Sequence, residues 1–296
     1  MTPLRQKMID LMTFRQYAPK TCQIYLRVVI HLSTYYHRSP EQISSEEVKS
    51  WLMESAAKRK WSASTVHQTL MALKFCYHHV LEQKDFFLDI PLPKRPQKIP
   101  ILLTQNEVYA LLQATDTLKN LTLLSLCYGC GLRVSELVAL TQYDIDSERL
   151  LLRVVQGKGR KDRVVPLSAS LLVLLRIYWH AWQPNHFVFC SYQQQKKALG
   201  VSSVQKMFSK TKFKAGIQQA TGIHCLRHAY ATHQLEHGLP IHQLQQFLGH
   251  SDIRITQKYL HWIPARSQVM ASDLLADFIP DEKVMQTKLE VQGDSF

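Results

Sequence analysis

Apolar residues recur at three- and four-residue spacing over 3–16 and again over 19–37, the period of helices with one buried face. Ser44-Ser-Glu-Glu47 has the form of a capping box, in which serine and glutamate satisfy each other's backbone amides, and it predicts a helix running to about residue 58. A fourth helix starts at Ser62 or Ser64 and ends near residue 83. Thr104-Gln-Asn-Glu107 is a second capping box, followed by helical periodicity over about 104–115 and 118–130. The period then changes. Short β-branched runs at 150–155 and 163–167 flank Gly157-Lys-Gly-Arg-Lys-Asp162, which reads as a hairpin with a basic tip. Residues 187–190, Phe-Val-Phe-Cys, predict a third strand. Helical patterns return at about 168–181, 202–214, 224–237, 240–248, 252–260 and 266–278. The expected fold class is mainly α with a small β-sheet (α+β).

Pro91-Leu-Pro-Lys-Arg-Pro-Gln-Lys-Ile-Pro100 interrupts this order, since four prolines prevent a helix and favour an extended path. The reading is a helical bundle over 1–90, a basic linker over 91–100 and a larger domain over 101–296. Charge adds a partner. The 296 residues hold 36 Lys+Arg against 23 Asp+Glu, a formal net charge of +13. Such an excess suits a polyanion, because basic side chains displace the counterions condensed on nucleic-acid phosphates. Residues 1–100 hold 15 basic and 8 acidic groups, and residues 101–296 hold 21 and 15, so both parts can touch one polyanion. Candidate phosphate contacts are Lys58, Arg59 and Lys60 between two helices, Lys94, Arg95 and Lys98 in the linker, and Arg160 and Lys161 at the hairpin tip.

No apolar run approaches the ~20 residues of a membrane span, and charges run through the first twenty residues, so neither a membrane nor export is expected. The six cysteines lie scattered among apolar neighbours, as in a reduced cytoplasmic, nucleoid-associated protein. Cys127 and Cys130 have a motif spacing but no second pair or preceding strand, and read as buried helix positions. His224, His228, His233 and His237 recur along one predicted helix, with 224 and 228 on one face. No glutamate or cysteine completes a ligand shell there, so no metal and no cofactor is expected.

Breaking a DNA strand without a metal needs a nucleophile, cations on the non-bridging phosphate oxygens, and an acid for the departing sugar oxygen. Arginine suits the second task because its planar fork binds phosphate oxygens in pairs and stays charged. The residue types occur here in a recognisable order. Gly131-Leu-Arg133-Val-Ser-Glu-Leu-Val-Ala-Leu140 resembles the first arginine box of the tyrosine recombinase (phage integrase) family, and His224-Cys-Leu-Arg227-His-Ala-Tyr-Ala-Thr232 resembles its His-x-x-Arg box. Leu248-Gly-His250, followed nine residues later by Tyr259, is similar to its closing histidine and tyrosine, and Lys158 matches its hairpin lysine. Residues 1–90 also resemble the family's helical core-binding domain.

The resemblance implies roles. Tyr259 attacks the scissile phosphate and leaves a 3′-phosphotyrosyl enzyme with a free 5′-hydroxyl. Arg133 and Arg227 hold the non-bridging oxygens, Lys158 protonates the leaving oxygen, with Arg160 and Lys161 on the same turn as rivals for that task, His224 is the base towards the tyrosine, and His250 donates to the phosphate. Glu136 supports the set by positioning Arg133 or a nearby donor. The implied function is a site-specific recombinase or integrase that needs neither metal nor ATP, because the phosphotyrosine conserves the bond energy. The implied partner is double-stranded DNA with paired inverted sites. The apolar face of Val269, Met270, Leu274, Leu275 and Phe278 implies a tail helix exchanged between subunits of a homotetramer. A type IB topoisomerase-like enzyme would use the same tyrosine chemistry, and a DNA-binding relative without catalysis is the other alternative. Because the chain opens almost directly on the core-binding helices, it is expected to lack an arm-binding domain and to be a simple Xer-type or mobile-element recombinase.

Overall fold

A computed structural model of the chain describes residues 2–83, 86, 93, 102–155, 162–191, 197–220 and 222–260. The proline-rich linker except Pro93, the hairpin tip with Lys158, Arg160 and Lys161, and the tail helix expected at 266–278 lie outside the described residues.

Helices α1 (Pro3–Phe14) and α2 (Pro19–Tyr36) each begin on proline, whose missing amide is one that the first turn leaves unpaired anyway. α3 (Ser45–Lys58) opens on the predicted capping box: the Glu47 amide donates to Ser44 Oγ at 3.3 Å, and the Ser44 amide donates to Glu47 Oε2 at 2.9 Å. α4 (Ala63–Lys74) runs into a π-helical turn, Phe75–Val80. These elements close on Met8, Met12, Leu32, Leu52, Leu73 and Tyr77, all fully buried. The Tyr77 hydroxyl meets its burial cost by donating to the Pro40 carbonyl at 3.0 Å. This bundle belongs to a compact unit spanning Met1–Lys98, and the remainder, Ile99–Phe296, forms a second.

The second unit contains α5 (Gln105–Gln113), α6 (Leu118–Gly129), α7 (Val134–Ala139), α8 (Ala169–Trp182), α9 (Val201–Lys214), α10 (His224–Glu236), α11 (Ile241–Leu248) and α12 (Ile253–Leu260). Its sheet is antiparallel, ordered β1 (Ile145–Asp146), β2 (Leu151–Val154), β3 (Arg163–Pro166). Leu152, Val154 and Val165 point into the core while Val164 is exposed, the alternation a half-buried strand requires. Mostly helix with one small sheet is the fold class expected from the pattern.

Two elements depart from expectation. Phe187–Cys190 is not a strand of the sheet. It makes only isolated bridges, Thr141 with Phe187 and Cys190 with Ala198, and the third strand is β1. Its apolar run reflects burial: Val188 and Phe189 sit in the core, and their backbones bond to Leu140 and Leu199 in flanking loops. α7, at six residues, is too short to announce itself by periodicity.

The link from α6 to α7 turns at Gly131, which has φ +59°; a Cβ there would stand 2.4 Å from the Tyr230 ring. The tight turn leads into α7 at Arg133 and is tied to α10, whose Arg227 donates to the Gly131 carbonyl. α10 packs on α6, α11 and α12. Residues far apart in sequence thereby converge at its N-terminal half.

Candidate functional site

The cluster is organised around a carboxylate. Glu136, in the first turn of α7, accepts from the Arg133 backbone amide at 2.8 Å and from its guanidinium at 2.7 Å. It also accepts a two-pronged bond from Arg163 on β3, at 2.9 Å and 2.7 Å, and Arg227 Nη1 lies 3.8 Å away. Burial pushes the Glu136 carboxyl up. The bonds from Arg163 and from the Arg133 amide and side chain outweigh it, holding the group at about 2. The carboxylate therefore stays charged and confines three guanidinium groups to one small volume.

Arg227 is fully buried in α10 and donates to the Gly131 carbonyl at 2.6 Å and the Leu248 carbonyl at 2.5 Å. Its plane is thus fixed by both chain segments that the motifs mark. Burial, then the neighbouring Arg133 charge, brings it down to about 10, so it remains a cation at neutral pH. Arg227 Nη2 also lies 3.2 Å from His250 Nε2. A guanidinium can only donate, so Nε2 accepts, the His250 proton sits on Nδ1, and Nδ1–H donates to Thr256 Oγ1 at 2.9 Å. Gly249 ends α11 in the left-handed region, φ +61°, and a Cβ on it would stand 2.9 Å from Arg163 Cδ. Arg163 in turn donates to the Phe247 carbonyl at 2.7 Å. The Leu-Gly-His turn is glycine-dependent because an arginine packs on it.

Tyr259, on α12, is 3% exposed and packs with Tyr230, Ala231, Leu244 and Leu248. Its ring lies parallel to that of His250, with centroids 6.4 Å apart. Its hydroxyl is 3.0 Å from His228 Nδ1. Burial raises the phenol above its ordinary value, while the Arg227 and Arg133 charges pull it back. His224, in the first turn of α10, meets His228 edge-on at 4.6 Å and 78°.

Five of the six motif positions, Arg133, His224, Arg227, His250 and Tyr259, therefore lie around one site, and Lys158 lies outside the described residues. Lys58, Arg59 and Lys60 are exposed at the end of α3 in the first unit, with Lys58 paired to Glu54. Arg163 has no role expected from the sequence, and His228 stands out there only as one of the histidines recurring along a helix. For Arg163 a signal existed: period two along β3 places it on the same face as buried Val165, and an inward arginine demands a buried acceptor. His233, further along α10, accepts or donates at the Tyr128 hydroxyl at 2.8 Å, outside this cluster. Among the described residues no group of His, Cys, Asp or Glu could hold a metal. Cys127 and Cys130 are buried, and among the described residues no helix is long and apolar enough to cross a membrane.

Burial, followed by nearby histidine and arginine charges, brings His228 to about 4; burial and the Arg227 charge do the same to His250. Both folded values lie below the ordinary 6.5. Between them the unfolded chain binds protons that the folded chain refuses, so stability is full above about pH 6.5 and falls as pH drops towards 4. Each histidine contributes up to about 1.4 kcal/mol per pH unit, less what solvent screening removes. Urea midpoints measured between pH 6.5 and 5, above the carboxylate range, should fall with pH, and a His228→Gln/His250→Gln chain should show a flatter profile. An unchanged slope would refute the assignment.

Comparison with known proteins places the chain in a family. Residues 102–266 match the model of the phage integrase family, and residues 4–85 match that of the phage integrase N-terminal SAM-like domain. A putative integrase/recombinase of Sinorhizobium fredii is 34% identical over 281 residues, covering 95% of this chain and 90% of the relative. The tyrosine recombinase XerD of Staphylococcus saprophyticus is 32% identical over 235 residues, 75% of this chain and 78% of the relative. The crystal structure of XerH site-specific recombinase bound to a palindromic difH substrate superposes with a TM-score of 0.67 at 22% identity, covering 85% of this chain and 79% of that one. The family model and these relatives define the class, an enzyme that breaks and rejoins DNA strands. The chain belongs to the phage integrase family, the tyrosine recombinases, and its activity is the site-specific cutting and rejoining of DNA strands.

Proposed function

We propose that Tyr259 carries this activity by attacking the scissile phosphate, with Arg133 and Arg227 on the non-bridging oxygens. The observation that carries the reading is the convergence of Arg133, Arg227, His250 and Tyr259 from four separate helical segments onto one carboxylate-braced cluster. The Tyr259 Oη–phosphorus bond forms as the bond to the 5′ oxygen breaks, leaving DNA joined through its 3′ phosphate. Guanidinium charge supplies the stabilisation that a metal supplies in other phosphoryl-transfer sites. Lys158 protonates the 5′ oxygen, and His250 donates to the phosphate once substrate charge draws a proton onto Nε2. Glu136 positions the arginines. A 5′-hydroxyl from a second strand reverses the step without ATP.

The bound substrate is double-stranded DNA carrying paired inverted sites. Residues 1–90 form the core-binding domain, 91–100 the linker and 101–296 the catalytic domain. Lys58, Arg59, Lys60, Lys94, Arg95, Lys98, Arg160 and Lys161 contact phosphates, and the tail at 266–278 joins four subunits by exchange. These readings rest on the basic balance of both parts of the chain and on the family.

The test is a nicked suicide duplex incubated with the full chain in EDTA, followed by proteolysis and mass spectrometry of the trapped product. The expected adduct is one DNA 3′ end on the peptide containing Tyr259. An adduct on another residue, a 5′ linkage, or cleavage that stops when metal is removed overturns the reading.

A further inference from the structure

The tyrosine hydroxyl must lose a proton to attack. The motif order gives that task to His224. The geometry gives it to a different side chain. We propose that His228 is the proton acceptor for Tyr259: the phenolic proton passes to Nδ1 as the oxygen bonds to phosphorus, and it returns to the departing phenolate on resealing. This inference rests on the reading of Tyr259 as nucleophile.

His228 Nδ1 and the Tyr259 hydroxyl are 3.0 Å apart, within general-base reach, and the hydroxyl donates when the imidazole proton sits on Nε2. The ring follows Arg227 in α10, so the helix that presents the buried guanidinium also presents the acceptor. Tyr259 is almost wholly buried among Tyr230, Ala231, Leu244 and Leu248, which leaves little of it to water as an alternative acceptor. His224 stands one ring further out, touching His228 edge-on.

The groups that face His228 explain why the proton stays on the tyrosine until DNA arrives. Burial, His224 and Arg227 hold the imidazole well below its ordinary value, and burial holds the phenol above its own. Both displacements oppose transfer in the free protein. A scissile phosphate against Arg227 and Arg133 offsets the positive charge acting on His228 and makes it more basic, as attack makes the tyrosine oxygen more acidic. The balance closes: the O–H bond breaks and O–P forms, P–O5′ breaks, Nδ1 gains the phenolic proton, and the 5′ oxygen receives one from Lys158.

Two substrates separate this role from a merely structural one. The first is the nicked suicide duplex, read as single-turnover adduct formation. The second carries a 3′-p-nitrophenyl phosphate facing a 5′-hydroxyl strand. Its resealing releases p-nitrophenolate, a group that leaves without a proton and bypasses Tyr259. His228→Ala and His228→Asn should both lose adduct formation by at least about a hundredfold, yet reseal the p-nitrophenyl substrate within a few-fold of the unsubstituted chain. Asparagine, which places an acceptor near the Nδ1 position without basicity, carries the test where alanine unfolds the chain.

Adduct formation restored by asparagine would reduce His228 to a spacer, and a faster reaction would make it a restraint; either overturns the proposal. Equal loss on both substrates also overturns it, because His228 would then act on the phosphate site or the fold. Failure of the underlying reading shows separately, as an adduct formed by Tyr259→Phe.

Discussion

A Tyr259→Phe chain should bind its DNA as tightly as the unsubstituted chain and form no covalent adduct. The change removes one oxygen from a ring that is almost fully buried among Tyr230, Ala231, Leu244 and Leu248. The ring volume is kept, so no cavity opens. The folded state loses the hydrogen bond to His228 Nδ1, worth on the order of 1 kcal/mol. It also loses the cost of burying a hydroxyl away from water. These changes oppose each other, and the denaturation midpoint should move little. DNA affinity comes mainly from many phosphate contacts, to which one buried hydroxyl adds almost nothing. The chemistry has no such redundancy, because the atom removed is the attacking oxygen itself, while the ring of the neighbouring Tyr230 is packed against Gly131. Adduct formation on a suicide duplex and filter binding at one fixed salt concentration decide the matter. Residual adduct at more than trace level, or affinity lost in step with cleavage, would remove Tyr259 from its proposed role.

The sequence declares the helices that carry this site, and it declares the site residues only through their local boxes. Periodicity marks α11 because it buries one face, through Leu244 and Leu248, and Gly249 marks its end because a left-handed residue must follow. Capping boxes at Ser44 and Thr104 fix two helix starts to the residue, since reciprocal bonds need serine or threonine and glutamate three apart. What spacing cannot express is the third dimension. Arg163 joins Glu136 across 27 positions and Phe247 across 84, and neither partner shares a local pattern with it. The choice between His224 and His228 is similar. Both occupy one face of α10, and only the arrival of α12 decides which ring meets the tyrosine hydroxyl. The apolar run at Phe187–Cys190 misleads for the converse reason. A chain buried on all sides and a central strand share one composition, and here the backbone bonds go to loops.

Glu136→Ala should cause the largest loss of stability of any single change at the site. The carboxylate is 5% exposed, and its partners Arg163 and Arg227 are 8% and 1% exposed. Removing it leaves buried guanidinium charge without its counter-charge, and breaking one side of a buried pair costs about 3–5 kcal/mol. That is a large part of the 5–15 kcal/mol typical of a whole domain. Lys58 and Glu54, paired on the surface of the first unit, provide the contrast: both are well exposed to screening solvent, and Glu54→Ala should leave the urea midpoint almost unchanged. The energetics also bear on chemistry. With Glu136 gone, Arg133 loses its side-chain anchor and Arg163 loses the bond that ties β3 to α7, so cleavage should fall by at least about a hundredfold even where the chain remains folded. Adding Arg163→Met to Glu136→Ala removes one of the stranded charges. The double variant should recover part of the lost stability and none of the lost cleavage. Urea denaturation and single-turnover cleavage on the same four chains test both halves. If Glu136→Ala unfolds at the same urea concentration as the unsubstituted chain, the carboxylate is not what holds the arginines together.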